Sequence, residues 1–279
     1  MQFRSFLTEA LLLEGGAALK GVSKLTQIEA RHGIPDIIKK VSETTGVSPK
    51  KIVPIGSAGK KPRDDDLSGD VDLAIETTPD VVSRAISELA HEGSYRSMPG
   101  INVYSFAHAL HDQRIAQVDL IPVNNLTYAQ WSYNAHPKDL KADLKGAHRN
   151  EVMFAVTKHT HRNVLKRDKE TKEPLEIERY YLDLSKGLMT GVQTRINEKG
   201  KKVKNFYTRD KRLLTDDPDR IAEILFGKGT TAEKVGNFEG AMKALKGPNF
   251  PHPEKRDEII KMIKKGIQGK GLRVPHEVM

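Results

Sequence analysis

Hydrophobic positions along the 279-residue chain follow two rhythms. A spacing of three and four marks helices. It joins Phe3, Phe6, Leu7, Ala10 and Leu11 in a short N-terminal amphipathic segment. It joins Ile37, Ile38 and Val41 in a helix that Pro35 opens at its first position and Gly46 closes. It joins Val81, Val82, Ala85, Ile86 and Leu89 behind the start signal Thr78-Pro79-Asp80. Gly15, Gly16, Gly21 and Gly33 break up residues 15–35, which are expected to be loosely ordered. A period of two, or a short apolar run, marks strands at 52–55, 70–75, 101–107 and 115–123.

The second half opens on a polar stretch, 135–145, and a helix over 147–158 that buries Val152, Met153, Ala155 and Val156. The charged residues 163–176 read as a loop. Strands follow at 177–184, 188–196 and 203–207, turned by Lys186-Gly187 and Glu198-Lys199-Gly200. Asp217-Pro218 starts a helix that ends at Gly227. Thr230-Thr231-Ala232-Glu233 has the form of a capping box, and helices are expected at 238–246 and 254–266, with a frayed tail after Gly269. The fold class is therefore α+β. A small mixed sheet with helices on one side precedes a C-terminal β-hairpin and helical domain. The expected division is 1–34 as an N-terminal arm, 35–137 as the core and 138–279 as a basic C-terminal domain.

Composition narrows the chemistry. The chain has no cysteine, which excludes disulfides, thiolate zinc sites and thiol catalysis and fits a reducing cytosol. No apolar run approaches membrane-spanning length, so no membrane partner is expected. The net charge is +9, and it is unevenly spread: residues 1–150 carry 18 basic and 18 acidic side chains, and residues 151–279 carry 28 and 19. A neutral front and a basic back point to a polyanion held by the back part. Lysine-rich solubility explains the same numbers.

The densest chemistry lies between residues 52 and 75. An apolar run leads into Gly56-Ser57, twelve residues follow, and then come Asp70 and Asp72. On a strand these two carboxylates project from one face about 7 Å apart, and they repel unless a cation sits between them. Mg²⁺ prefers such hard oxygen ligands and leaves room for substrate phosphates. Asp119 stands mid-strand among Val118, Leu120 and Ile121, where an unpaired carboxylate is costly to desolvate. If its strand lies beside 70–75, three aspartates share one face and can hold two Mg²⁺ roughly 4 Å apart. Gly56 lets the backbone approach a phosphate, and Ser57 adds a hydroxyl. Lys60, Lys61 and Arg63 lie close enough in sequence to reach phosphates, whereas Asp64-Asp65-Asp66 reads as a solvated loop.

The order apolar-Gly-Ser, a dozen residues, Asp-x-Asp and a later single Asp resembles the polymerase-β-type nucleotidyltransferase superfamily, over about residues 36–125. The resemblance implies Gly56 and Ser57 for triphosphate binding, Asp70 and Asp72 as metal ligands, and Asp119 as third ligand and catalytic aid. The cofactor would be two Mg²⁺ ions, with Mn²⁺ as substitute. The substrate would be an NTP such as ATP and the product pyrophosphate. An RNA 3′ end is the first acceptor, a host protein hydroxyl the second and a small molecule the third. A non-catalytic nucleic-acid-binding protein on a decayed fold is the rival of a different class. Lys145, His148 and Arg149 are further candidates for nucleotide contact, Arg149 foremost. Lys158, His159, His161 and Arg162 read as a basic patch, not a metal site. Lys199, Lys201, Lys202, Lys204, Arg209, Lys211 and Arg212 around Phe206 and Tyr207 form a candidate nucleic-acid surface.

The N-terminus carries a second resemblance. Phe3-x-x-Phe6-Leu7-Thr8-Glu9-Ala10 looks like the head-targeting leader of internal head proteins of large tailed bacteriophages. Leu7-Thr8-Glu9 and Leu12-Leu13-Glu14 both match the motif after which a prohead protease cuts. This resemblance implies a tailed-phage nucleotidyltransferase-like protein, active in the host cytoplasm and packed in the phage head.

Overall fold

The computed structural model describes residues 19–98, 102–110, 112, 114–160, 162–167, 169, 170, 172, 174–194 and 208–278. The protein is α+β, and the chain divides into two compact units at Ala147/His148. The leader motifs, His161 and residues 195–207 lie outside the described residues.

In the first unit, β1 (Leu25–Thr26) runs into α1 (Gln27–Thr45). This helix starts eight residues before Pro35 and carries the proline in its interior, contrary to the sequence expectation. The reason lies at its start. The Thr26 hydroxyl oxygen accepts a hydrogen bond from the Glu29 N–H, and the Glu29 carboxylate accepts one from the Thr26 N–H at 2.8 Å, forming a capping box. Burial of Ala30, Ile34, Ile37 and Val41 along one stripe then holds the helix across the backbone bond that Pro35 cannot make. Thr26→Ala is expected to cost about 1 kcal/mol, read from the midpoint of chemical denaturation.

Next come β2 (Ile52–Pro54), β3 (Leu67–Ser68), β4 (Val71–Glu76), α2 (Pro79–Leu89), β5 (Tyr95–Met98), β6 (Val103–Ala109) and β7 (Ile115–Val123). Beyond β7 lie α3 (Leu126–Tyr133) and α4 (Pro137–Lys141), two short helices in and beside a stretch that reads as polar. The five-stranded sheet has the order β2-β4-β7-β6-β5. It is mixed: β4 and β7 are parallel and the other pairs antiparallel.

Side-chain alternation sorts the sheet into two faces. Val71, Leu73, Ile75, Val118 and Leu120 pack with Ile37 and Val41 of α1 and with Val82, Ile86 and Leu89 of α2. On the opposite face Ala74, Ile121 and Val123 form a smaller cluster with Ile55, Val103 and Ala129 of α3. Asp72 and Asp119 belong by alternation to this second face, next to the edge of the smaller cluster.

In the second unit α5 (Gly146–Thr160) leads into a four-stranded antiparallel sheet of order β11-β10-β9-β8. Its strands are β8 (Arg162–Arg167), β9 (Pro174–Asp183), β10 (Gly187–Thr194) and β11 (Thr208–Thr215). The 163–176 stretch is thus not all loop. Its first residues form an edge strand whose side chains need no burial, which is why charge there hides the strand signal. Three helices follow: α6 (Pro218–Phe226), α7 (Phe238–Lys246) and α8 (Arg256–Gly269). Asp217 caps α6, its side chain accepting from the Asp219 N–H at 2.9 Å. Thr230-Thr231-Ala232-Glu233 starts no helix and forms turns instead, with the Thr231 hydroxyl accepting from Lys234 N–H at 3.4 Å. Within this unit Lys270 and Glu151 make a buried ion pair of 3.1 Å. The glycine at 266 makes room for it, since a Cβ there would meet the Glu151 carboxylate at 1.9 Å.

Candidate functional site

Parallel pairing of β4 and β7 sets Asp72 directly opposite Asp119. Asp70, just ahead of β4, completes the group. One carboxylate oxygen from each lies within 4.8 Å of the other two. Asp70 and Asp119 are only 9% and 4% exposed, so water screens their charges poorly. Burial is the largest cause that lifts the Asp72 carboxyl well above its ordinary value, followed by the charges of Asp70 and Asp119, with the Lys60 ammonium working against them. Burial and the Asp70 charge push Asp119 up to about 7, against the pull of Ser105 and Gln117.

The neighbours of Asp119 come from the same sheet. Gln117, two residues back on β7 and so on the same face, donates its amide to an Asp119 carboxylate oxygen at 2.9 Å. The Gln117 side-chain oxygen Oε1 accepts from the Leu19 N–H at 3.1 Å. Ser105 of β6 lies opposite Asp119 in the strand register. Alternation along β7 marks Gln117, but no spacing rule marks Ser105, whose place comes from β6–β7 pairing.

The Gly56-Ser57 turn closes the other side. Ile55 N–H bonds the Asp72 carbonyl at 2.9 Å, extending the β2–β4 ladder to the turn. Gly56 has φ +67°, and a Cβ on it would lie 2.2 Å from Asp72 Oδ2. A side chain at this position is therefore refused twice, by backbone conformation and by the carboxylate. The Gly56 backbone thus lies close against the Asp72 carboxylate.

The basic candidates fare differently. Lys60 is gathered into the site, but its ammonium is bonded to Pro54 O, Gly56 O and Asn134 Oδ1. Burial pulls its pKa down to about 8, with Asp72 opposing. Arg63 pairs with Asp65 at 2.7 Å and Lys61 with the Leu67 carbonyl, so both serve the loop itself. Arg149 belongs to the other compact unit, where its side chain is buried. Nε donates to Val235 O at 2.8 Å and Nη1 to Asn150 Oδ1 at 3.3 Å. His148 is likewise buried, with Nε2 3.0 Å from the Arg273 carbonyl oxygen. His159 sets Nε2 3.2 Å from the Met262 sulfur. On β11, Arg209 pairs with Glu176 at 3.0 Å and Arg212 with Glu178 at 3.0 Å, and Lys211 lies over the Tyr181 ring.

Three carboxylates in poor solvent, drawn together with one lysine to offset them, form a hard-oxygen donor set suited to a divalent cation. Asp70, Asp72 and Asp119 together could hold a metal ion. No helix among the described residues is long and apolar enough to cross a membrane. No family model matches the chain, and no curated protein matches it.

Proposed function

We propose that the protein is a metal-dependent nucleotidyltransferase that moves an NMP from an NTP to an acceptor hydroxyl and releases pyrophosphate. The observation that carries this reading is the β4–β7 register, which sets Asp119 against Asp72 next to the Gly56 turn. Asp70, Asp72 and Asp119 would hold two Mg²⁺ ions, and those ions, when bound, supply Lewis-acid stabilisation of phosphate charge.

The chain's own residues do the rest. The Gly56-Ser57 backbone and hydroxyl bind the triphosphate. Asp119, which shares the carboxylate cluster with Asp70 and Asp72, would take the proton of the acceptor hydroxyl. The new bond joins the acceptor oxygen to the α-phosphorus. The bond from that phosphorus to the β-phosphate bridge breaks, and pyrophosphate leaves. Convergence of all three carboxylates speaks against a decayed, non-catalytic fold.

An RNA 3′ end in the host cytoplasm is the first acceptor, because the whole positive surplus belongs to residues 151–279. A protein hydroxyl is the second reading. It is favoured by the Arg209–Glu176 and Arg212–Glu178 pairs, which engage charges otherwise open to a nucleic acid. Incubation with each α-labelled NTP, Mg²⁺, total RNA and cell lysate separates the two. Label on RNA supports the first acceptor and label on a polypeptide the second. No labelled product with any NTP or divalent metal contradicts the function. Asp70→Ala is expected to remove all label transfer.

A further inference from the structure

Lys60 stands apart among the basic residues of the site, because every donor it has is accounted for. A lysine ammonium offers three N–H groups and no acceptor. Here Nζ reaches Asn134 Oδ1 at 2.6 Å, Pro54 O at 3.1 Å and Gly56 O at 3.3 Å. Two of these acceptors are backbone carbonyls and the third is a side-chain oxygen. Pro54 ends β2, Gly56 is the left-handed turn residue, and Asn134 is the C-cap of α3, whose own N–H bonds Gln130 O. The Lys60 N–H also closes the turn on Ser57 O at 3.1 Å. The ammonium thus has two backbone carbonyls and the Asn134 side-chain oxygen for its three N–H groups.

We propose that Lys60 is a positioning residue that pins the Gly56-Ser57 turn to β2 and to the end of α3, and not a ligand of the nucleotide phosphates. The pinned turn holds the Gly56 backbone against the Asp72 carboxylate. Asn134, seventy-four positions away in sequence, is the other half of the lock. Where nucleotide is concerned this inference rests on the nucleotidyl-transfer reading. The lock itself does not.

The test compares Lys60→Met, Asn134→Ala and the double variant in the full-length protein. Amide hydrogen exchange is followed at Lys60 and its flanking turn residues, without metal or nucleotide. Each single variant is expected to speed exchange about tenfold, equivalent to about 1.4 kcal/mol. The double variant is expected to exceed neither, because both changes open one lock. With nucleotide, each single variant is expected to raise KM for the NTP about tenfold while kcat stays within about twofold. That split marks lost ground-state organisation, not lost chemistry. Mn²⁺ affinity of the carboxylates should be retained in Asn134→Ala.

If Lys60→Met raises KM while turn exchange stays native and Asn134→Ala behaves as wild type, Lys60 contacts phosphate directly and the lock is refuted. Additive exchange effects refute it too. If the wild type transfers no nucleotide, the exchange cycle still decides the lock while the functional reading fails alone. Should Lys60→Met not fold, Asn134→Ala carries the same exchange comparison.

Discussion

Asp119→Asn is expected to make the metal-free protein more stable at pH 8 and to remove the further stabilisation that millimolar Mg²⁺ or Mn²⁺ gives the native chain. Both effects follow from crowding three carboxylates within 4.8 Å. Burial and the Asp70 charge hold Asp119 up to about 7, against an ordinary 3.8. The folded protein therefore keeps a proton that the unfolded chain releases between about pH 4 and 7. Stability without metal falls as pH rises through that window. At 1.36 kcal/mol per pKa unit, the ionised carboxylate opposes folding by up to about 4 kcal/mol at pH 8. Asparagine keeps the shape and the contact with Gln117 and removes the charge.

Metal acts in the opposite sense, because it binds the deprotonated group. Its stabilisation should be large at pH 8 and small at pH 5. Thermal melts of both proteins at the two pH values, with and without Mn²⁺, check all four expectations. A native chain whose melting temperature ignores Mn²⁺ at pH 8 would show that the carboxylates are not a metal site.

Gly56→Ala is expected to be far more damaging than its size implies. Gly46 supplies the internal comparison. Both glycines have φ near +70°, but a Cβ on Gly46 meets nothing within 4 Å, whereas on Gly56 it meets Asp72 Oδ2 at 2.2 Å. Gly46→Ala therefore reports the conformational penalty alone, about 1 kcal/mol. Gly56→Ala adds an overlap that only movement of the turn or of the Asp72 carboxylate can relieve. A total loss of about 3 kcal/mol or more is expected, together with at least tenfold weaker Mn²⁺ binding. Denaturation and Mn²⁺ titration of the two variants side by side measure the difference. Equal losses would mean that the Gly56 backbone does not press on the acidic cluster.

The parts of this site that can be read from the sequence are those governed by local period. Alternation places Asp70 and Asp72 on one strand face and Asp119 on another strand, and the structure keeps both strands within a residue of the expected ends. Their parallel adjacency is a tertiary fact, since α2 and two strands intervene between them. Asn134 and Ser105 reach the site through packing and pairing alone and leave no local signature. Arg149 differs in another way: a charged residue at a helix start reads as exposed, but its side chain is buried, with Nε donating to Val235 O and Nη1 to Asn150 Oδ1.

Pro35 shows how a strong punctuation signal can lose. A capping box upstream and a buried stripe on both sides outweigh one missing backbone bond. In the edge strand β8, charge hides the strand because nothing requires its outer side chains to be apolar.

The central claim, nucleotidyl transfer at the Asp70–Asp72–Asp119 cluster, is tested most directly by following both ends of the nucleotide at once. The protein is given Mg²⁺, an acceptor pool and one NTP labelled at the α-phosphate or at the γ-phosphate. The account predicts that the α-label becomes attached to acceptor, that the γ-label leaves as pyrophosphate in equal amount, and that Asp119→Asn does neither. Transfer of the γ-label to acceptor, or undiminished α-transfer by Asp119→Asn, would contradict it.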